Sequence, residues 1–217
     1  DDPAEQAGLL YTLAWQPNPA LPESNERLTG RWLVVGPADD ATLAALTDAL
    51  QAAGGTVDRQ TLDVNDARWQ DSSHWQELLA AEELAGVICQ LRGGSDEPDV
   101  AAGTELRARI VLAASSALAG VGPKRWKSLR VLWLSRDAQP QYTATDATLD
   151  LTQAAALGLV LSWPYELKGL RRRAGDLEST AEHSTVAEQL LAELRALATD
   201  SPGEQEATAE GLYRGGT

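Results

Sequence analysis

An apolar run that stops at a glycine and gives way to a capped helix leaves a chain few options. Gly30-Arg31-Trp32-Leu33-Val34-Val35-Gly36-Pro37-Ala38-Asp39-Asp40 is such a run. It predicts a buried strand, a tight turn and a helix, the unit from which doubly wound α/β sheets are built. At that turn a nucleotide-binding chain carries Gly-x-Gly-x-x-Gly, so that backbone can approach a pyrophosphate at the helix N-terminus. Here Gly36 stands alone. Pro37 removes an N–H that could be given to phosphate, and Asp39 and Asp40 repel phosphate while capping the helix. The turn predicts nucleotide-fold architecture without nucleotide chemistry at this position.

The rest of the chain extends the pattern. Leu43, Leu46 and Leu50 recur at helical spacing and Gly54-Gly55 ends that helix. Thr56 to Leu62 reads as a second strand, polar enough for an edge, and Asn65 to Ala81 as a turn and a helix carrying Trp69, Trp75, Leu78 and Leu79. Leu84 to Leu91 and Arg130 to Ser135 are near-continuous apolar runs, predicting strands buried on both faces. Between them a helix is expected from Val100 to Leu118, terminated by Gly120 to Pro123. An apolar helix over Asp150 to Ser162 is broken by Trp163-Pro164, and Leu170 to Leu177 is a weaker strand containing Arg171-Arg172-Arg173. A helix from Thr180 towards Ala198 follows, then a short strand within Glu206 to Arg214, with a hairpin around Glu210-Gly211 as one option. At the other end, Leu9 to Trp15 alternates like a half-buried strand, and Gln16 to Thr29, with Pro17, Pro19 and Pro22, reads as an extended link. The expected organisation is residues 1–29 as N-terminal strand and Pro-rich linker and 30–217 as one α/β unit. The fold class is a truncated parallel sheet flanked by helices, with an added N-terminal strand.

Charge narrows the partners. With 18 basic against 32 acidic residues the chain carries −14, which disfavours nucleic acid and anionic membranes. Cys89 is the single cysteine, so neither a disulfide framework nor a Cys-rich metal site is expected, and a cytosolic, cytoplasmic setting is the simple reading. The chain contains no methionine, which reads Asp1 as an excision boundary within a larger protein.

Taken in order, several segments resemble the structural subdomain of a modular type I polyketide synthase ketoreductase. Leu10-Tyr11-Thr12-Leu13-Ala14-Trp15 matches the family's opening Leu-Tyr-x-Leu-x-Trp strand, and Gly30 to Gly36 its Gly-x-Trp-Leu-Val-x-Gly strand. Gly86-Val87-Ile88, Leu132-Trp133-Leu134-Ser135-Arg136-Asp137-Ala138 and Asp176-Leu177-Glu178 follow in place. The family's Trp-Gly-Leu-Gly-Arg helix and Glu-His-Pro-Glu corner are only echoed, by Leu157-Gly158-Leu159 and Trp163-Pro164-Tyr165-Glu166, a departure that fits a pseudo-ketoreductase. The resemblance implies a truncated Rossmann-like scaffold, not an enzyme by itself. It would bind no cofactor and brace a catalytic half that binds NADPH, or an inserted methyltransferase or enoylreductase domain. Acyl carrier protein would be a further partner.

The residues agree with that implication when searched for chemistry. A short-chain reductase needs Tyr-x-x-x-Lys or Tyr-x-x-x-Asn to protonate a developing alkoxide. Tyr11, Tyr142, Tyr165 and Tyr213 are followed at that offset by Trp15, Asp146, Gly169 and Thr217. Tyr165 has Lys168 three residues on, but Pro164 and Gly169 bracket the pair as a surface corner. His74 (near Asp71, Ser72 and Glu77) and His183 (near Glu182 and Ser184) are the only histidines, and neither has a second histidine or cysteine at ligand spacing. Arg171-Arg172-Arg173 could meet a phosphopantetheine arm, or else be solvated or paired with the chain's own carboxylates. No catalytic, cofactor-binding or metal residue is assigned. The alternative is a free-standing small-molecule or nucleotide-binding α/β enzyme using the Gly93-Gly94 loop, which lies where such folds place ligands, although Asp96-Glu97-Pro98-Asp99 makes it unfriendly to phosphate.

Overall fold

The structure, a computed structural model, describes residues 27–91, 99–139, 149–179, 181–199 and the backbone of 210–213. Six strands, β1 (Gly30–Gly36), β2 (Gly55–Thr61), β3 (Leu84–Gln90), β4 (Arg130–Arg136), β5 (Arg171–Leu177) and β6 (Glu210–Tyr213), form one sheet in the order β2-β1-β3-β4-β5-β6. Every pairing is parallel. The helices are α1 (Ala41–Ala52), α2 (Ser72–Leu79), α3 (Val100–Trp126), α4 (Leu151–Leu161), α5 (Trp163–Glu166) and α6 (His183–Thr199), with a 3-10 turn at Ala67–Gln70.

Two apolar layers sandwich the sheet. On one face Leu43, Leu46 and Leu50 of α1 and Val186, Leu190, Leu194 and Leu197 of α6 cover Trp32, Val34, Ile88, Leu132 and Leu134. On the other, Trp69 and Trp75, the Ile110 to Leu118 side of α3 and Leu157, Val160 and Trp163 cover Leu33, Val35, Val87, Cys89, Val131 and Trp133. Alternating side chains of β1, β3 and β4 thus feed both layers, which is why those strands read as continuous apolar runs. The six tryptophans among the described residues are all buried, the most exposed at 7%. Trp163 meets Trp133 edge-on with centroids 5.4 Å apart and donates its indole N–H to Ser115 Oγ at 2.7 Å. Burial also pushes the Cys89 thiol up, making it a core residue rather than a reactive one.

The parallel Rossmann-like sheet is as expected; compared with the six-strand 3-2-1-4-5-6 order, the described residues place no strand outside β2 and one more at the β6 edge. The expected added strand at Leu9 to Trp15 lies outside the described residues. The helix break expected at Gly120 to Pro123 is present at Gly122, whose φ of 77° precedes Pro123, and a further helical turn runs on to Trp126. Two local expectations change. Glu210–Tyr213 pairs in parallel with β5 rather than turning back as a hairpin. Arg172 and Arg173 are buried, at 6% and 5% exposure, and Arg173 Nε donates to Glu193 Oε2 of α6 at 3.1 Å. Of the three fates open to the arginine run, pairing with the chain's own carboxylate is the one seen at Arg173.

Candidate functional site

Open α/β sheets hold ligands outside the carboxyl ends of their strands, where successive connections leave in opposite directions. That point lies between β1 and β3 here, since β1 is flanked by β2 on one side and β3 on the other. β1 ends at Gly36 because α1 must close down at once: a Cβ there would stand 2.4 Å from Leu43 Cδ1 and 3.3 Å from the Gln90 carbonyl. Arg59 Nη2 ties the turn down from β2, donating to the carbonyls of Pro37 at 2.9 Å and Ala38 at 3.2 Å.

Asp40, not Asp39, is the N-cap of α1, with φ −77° and ψ 113°. Its Oδ1 accepts the Leu43 N–H at 2.9 Å. Its Oδ2 accepts Gln90 Nε2 at 2.9 Å and Arg136 Nη2 at 3.2 Å. Arg136 Nη2 also lies 3.3 Å from Thr42 Oγ1, which in turn meets His183 Nδ1 at 2.9 Å. The backbone of Arg136 is clasped by one side chain: Gln153 Oε1 accepts its N–H at 2.9 Å, and Gln153 Nε2 donates to its carbonyl at 3.0 Å. Gln153 is held in turn by Asp150, the N-cap of α4, whose Oδ1 accepts the Gln153 N–H at 3.2 Å. One polar chain thus links α1, β3, β4, α4 and α6 at the mouth of the sheet.

Beside it, Asp176 ends β5 almost fully buried. Its Oδ1 accepts the Ser135 hydroxyl at 2.7 Å and the Ala138 N–H at 3.0 Å, and its Oδ2 the Gln139 N–H at 2.9 Å. Burial pushes this carboxyl above the usual range of 3.8, the neighbouring Asp137 charge acts the same way, and the three donors pull it back in part. A raised folded-state value means that the contribution to stability is complete below about 3.8 and is lost as pH rises through the raised value. The Asn amide stays neutral at every pH, so Asp176→Asn is expected to gain stability relative to wild type as pH rises through the raised value. Urea midpoints of both proteins across that range test this; a variant that loses ground to wild type as pH rises contradicts it.

The other sequence candidates are dispersed. His74 packs edge-on against Trp69 with centroids 4.9 Å apart, far in sequence from the cluster that His183 joins. Tyr165 is 80% exposed. Among the described residues no group of three His, Cys, Asp or Glu side chains could hold a metal ion, and no helix is long and apolar enough to cross a membrane. The Gly93-Gly94 loop lies outside the described residues. Sequence reasoning missed Thr42, Gln90, Arg136 and Gln153 as site residues. The available signal was a polar side chain closing an otherwise apolar strand, at Gln90 and at Ser135-Arg136.

A dinucleotide does not fit the β1 turn. The helix N-terminus that would meet its pyrophosphate already holds the Asp40 carboxylate, Gly36 is packed against Leu43, and Pro37 offers no N–H.

No family model matches the chain, and no curated protein matches it. Solved structures do. A short-chain dehydrogenase/reductase from Serratia marcescens aligns with 88% of this chain and 99% of its own at 15% identity and a TM-score of 0.53. An alcohol dehydrogenase from the archaeon Thermococcus sibiricus, complexed with 5-hydroxy-NADP, aligns with 85% of this chain and 97% of its own at 14% identity and a TM-score of 0.60. An NADH-dependent reductase complexed with NAD gives 87%, 97%, 16% and 0.53. At these identities the likeness is one of fold. It corrects one expectation, that of a chain that is no enzyme by itself: the folds it matches are those of dehydrogenases and reductases. Nor do these nucleotide complexes support a chain of this fold being set apart from cofactors in general.

Proposed function

We propose that this chain is a Rossmann-like domain of a short-chain-type reductase enzyme, and that the enzyme is the ketoreductase region of a modular polyketide synthase. The observation that carries the reading is the sheet itself, which among the described residues has no strand beyond β2, with Asp40, Gln90 and Arg136 closing the crevice where a dinucleotide would lie. The ordered segments from Gly30 to Gly36, Leu132 to Ala138 and Asp176 to Glu178 support it. In such an enzyme a nicotinamide nucleotide would supply hydride to a carrier-bound ketone. Residues 30–217 would form one unit of that enzyme, packing against the part of it that completes the nucleotide site. An inserted methyltransferase or enoylreductase domain and acyl carrier protein are the further partners of this reading.

A second reading, a free-standing oxidoreductase, draws support from coverage, since the chain aligns with 97–99% of the dehydrogenase and reductase chains compared above. Titrating the purified chain with NADPH, with energy transfer from tryptophan to the nicotinamide as the signal, separates the two. The ketoreductase reading expects no saturable binding by this chain alone and a rise in Tm when the following catalytic half is supplied. Saturable NADPH binding by this chain overturns it in favour of the free-standing enzyme.

A further inference from the structure

Charge is spread unevenly along this chain. It carries 32 acidic residues, yet none lies between Glu105 and Asp137, and Glu166 stands alone between Asp150 and Asp176. Those two stretches hold all three lysines, Lys124, Lys127 and Lys168. The sheet brings them to one end. β4 and β5 pair in parallel with Arg130 opposite Arg171, so the turns that enter the two strands lie side by side, neighbouring strands being about 4.8 Å apart. Lys127 stands three residues before Arg130, and Lys168 three before Arg171. Both turns are pinned from beneath. Leu129 and Leu170 are buried, Leu129 donates its N–H to the Arg125 carbonyl at 3.1 Å, and Leu170 its own to the Leu167 carbonyl at 3.0 Å. Lys124 lies in the last turns of α3, fixed by Trp126, whose buried indole donates to the Leu118 carbonyl at 2.7 Å. All three lysines are exposed, and none of their side chains is in an ion pair or hydrogen bond among the described residues. Arg125 beside them, by contrast, is committed to the Ala81 and Leu84 carbonyls at 2.9 Å each. Next to Lys168 in the chain, Tyr165 on α5 is the most exposed of the large hydrophobic side chains described. An aromatic ring left in water and set among unpaired cations has the makeup of an interface anchor.

We infer that this end of the sheet is a docking surface for a short acidic segment of a partner protein, whose carboxylates meet Lys124, Lys127 and Lys168 while an apolar side chain packs on Tyr165. Charge complementarity selects that occupant. The positive surface is bounded, because Glu82 and Glu83 are exposed in the turn entering β3, the neighbour of β4. A nucleic acid or an anionic membrane is an extended array of charge and would run from the lysines onto those carboxylates, whereas a short segment stays within the patch. The remainder of the −14 charge acts weakly on a segment in contact, since salt screens it beyond about 8 Å at physiological ionic strength. The inference depends on neither reductase reading, because it uses only the charge and exposure of this face.

The test uses the whole chain and a fluorescein-labelled helical peptide with glutamates and one leucine on a single face, against the same peptide with glutamines for the glutamates. Fluorescence anisotropy is read in about 20 mM salt, where screening is weak. The wild type is expected to bind the glutamate peptide about tenfold more tightly than the glutamine peptide. Lys124→Gln, Lys127→Gln and Lys168→Gln together should remove that preference, and Tyr165→Ser should weaken glutamate-peptide binding about five- to tenfold. Arg109→Gln, which removes an exposed cation elsewhere on α3, should leave binding unchanged. Acetylation of the folded protein repeats the comparison without a variant, since these are its only lysines, and should also abolish the preference. The inference is overturned by equal affinity for the two peptides, by a preference that survives the triple variant or acetylation, or by an equal loss in Arg109→Gln. Tighter binding of a single-stranded oligonucleotide, or of phosphatidylserine vesicles, than of the glutamate peptide overturns it as well.

Discussion

Replacing Gly86 by valine is expected to destabilise the protein by about 3 kcal/mol, the upper range of an overpacked core. Gly86 lies at the centre of β3, in register with Trp32 of β1 and Arg130 of β4. A Cβ at that position would stand 2.3 Å from Trp32 Cζ3 and 2.8 Å from the Arg130 carbonyl oxygen. The indole has nowhere to move. Its N–H is bonded to the Leu28 carbonyl at 3.0 Å, its Cδ1 lies 2.9 Å from where a Cβ on Gly55 would be, and the ring is fully buried. Trp32 therefore lies across the glycines of both neighbouring strands, and the backbone oxygen of β4 closes the remaining space. Urea unfolding measures the loss, and adding Trp32→Leu to Gly86→Val should return part of it. A loss under about 1 kcal/mol, or no recovery in the double variant, would show that the sheet yields there instead.

Glu193→Leu is the second large loss, about 3 kcal/mol or somewhat more. Glu193 and Arg173 are each 5% exposed, so their ion pair between α6 and β5 sits beneath the surface, and removing the carboxylate leaves a guanidinium charge in the core without it. The sign of the partner experiment is what identifies the cause. Arg173→Met combined with Glu193→Leu removes both charges and should recover most of the stability, since apolar replacement of a whole buried pair is often neutral. Salt should change little in any of these proteins, because a buried pair is weakly screened. If the double variant is no better than Glu193→Leu, packing and not charge accounts for the loss.

These two cases also show where the sequence was readable. The runs at Gly30–Gly36, Leu84–Gln90 and Arg130–Arg136 announced themselves because each strand is buried on both faces, and Gly54 marks the end of α1 with a φ of 97°. Local chemistry sufficed for these, as it did for a capping aspartate at Asp39-Asp40, although only the structure selects Asp40. The arginine run was harder. Three consecutive charges argue for an exposed face, and the carboxylate that admits Arg173 to the core stands on a helix twenty residues later in the chain. The crevice was least visible of all. Asp40 meets Gln90, Arg136 meets Thr42, and Thr42 meets His183, each pair separated by a span that no periodicity crosses. Gln90 and Arg136 carry only a positional hint, a polar residue closing an apolar strand, and its meaning depends on which strands end side by side.

The strand order has a consequence for how the protein is made. After β1 pairs with β2, each later strand joins the edge left by its predecessor: β3 on the free side of β1, then β4, β5 and β6 outward. Nothing synthesised later must be threaded between strands already paired. Every pairing is parallel and long in sequence, Arg31 with Leu84 and Gly86 with Arg130 among them, so no hairpin can nucleate the sheet and each addition waits for a loop to close. A chain leaving the ribosome can nevertheless grow this sheet in one direction as its strands emerge. The exposed hazard at each moment is a single apolar edge, first that of β1, then of β3, then of β4.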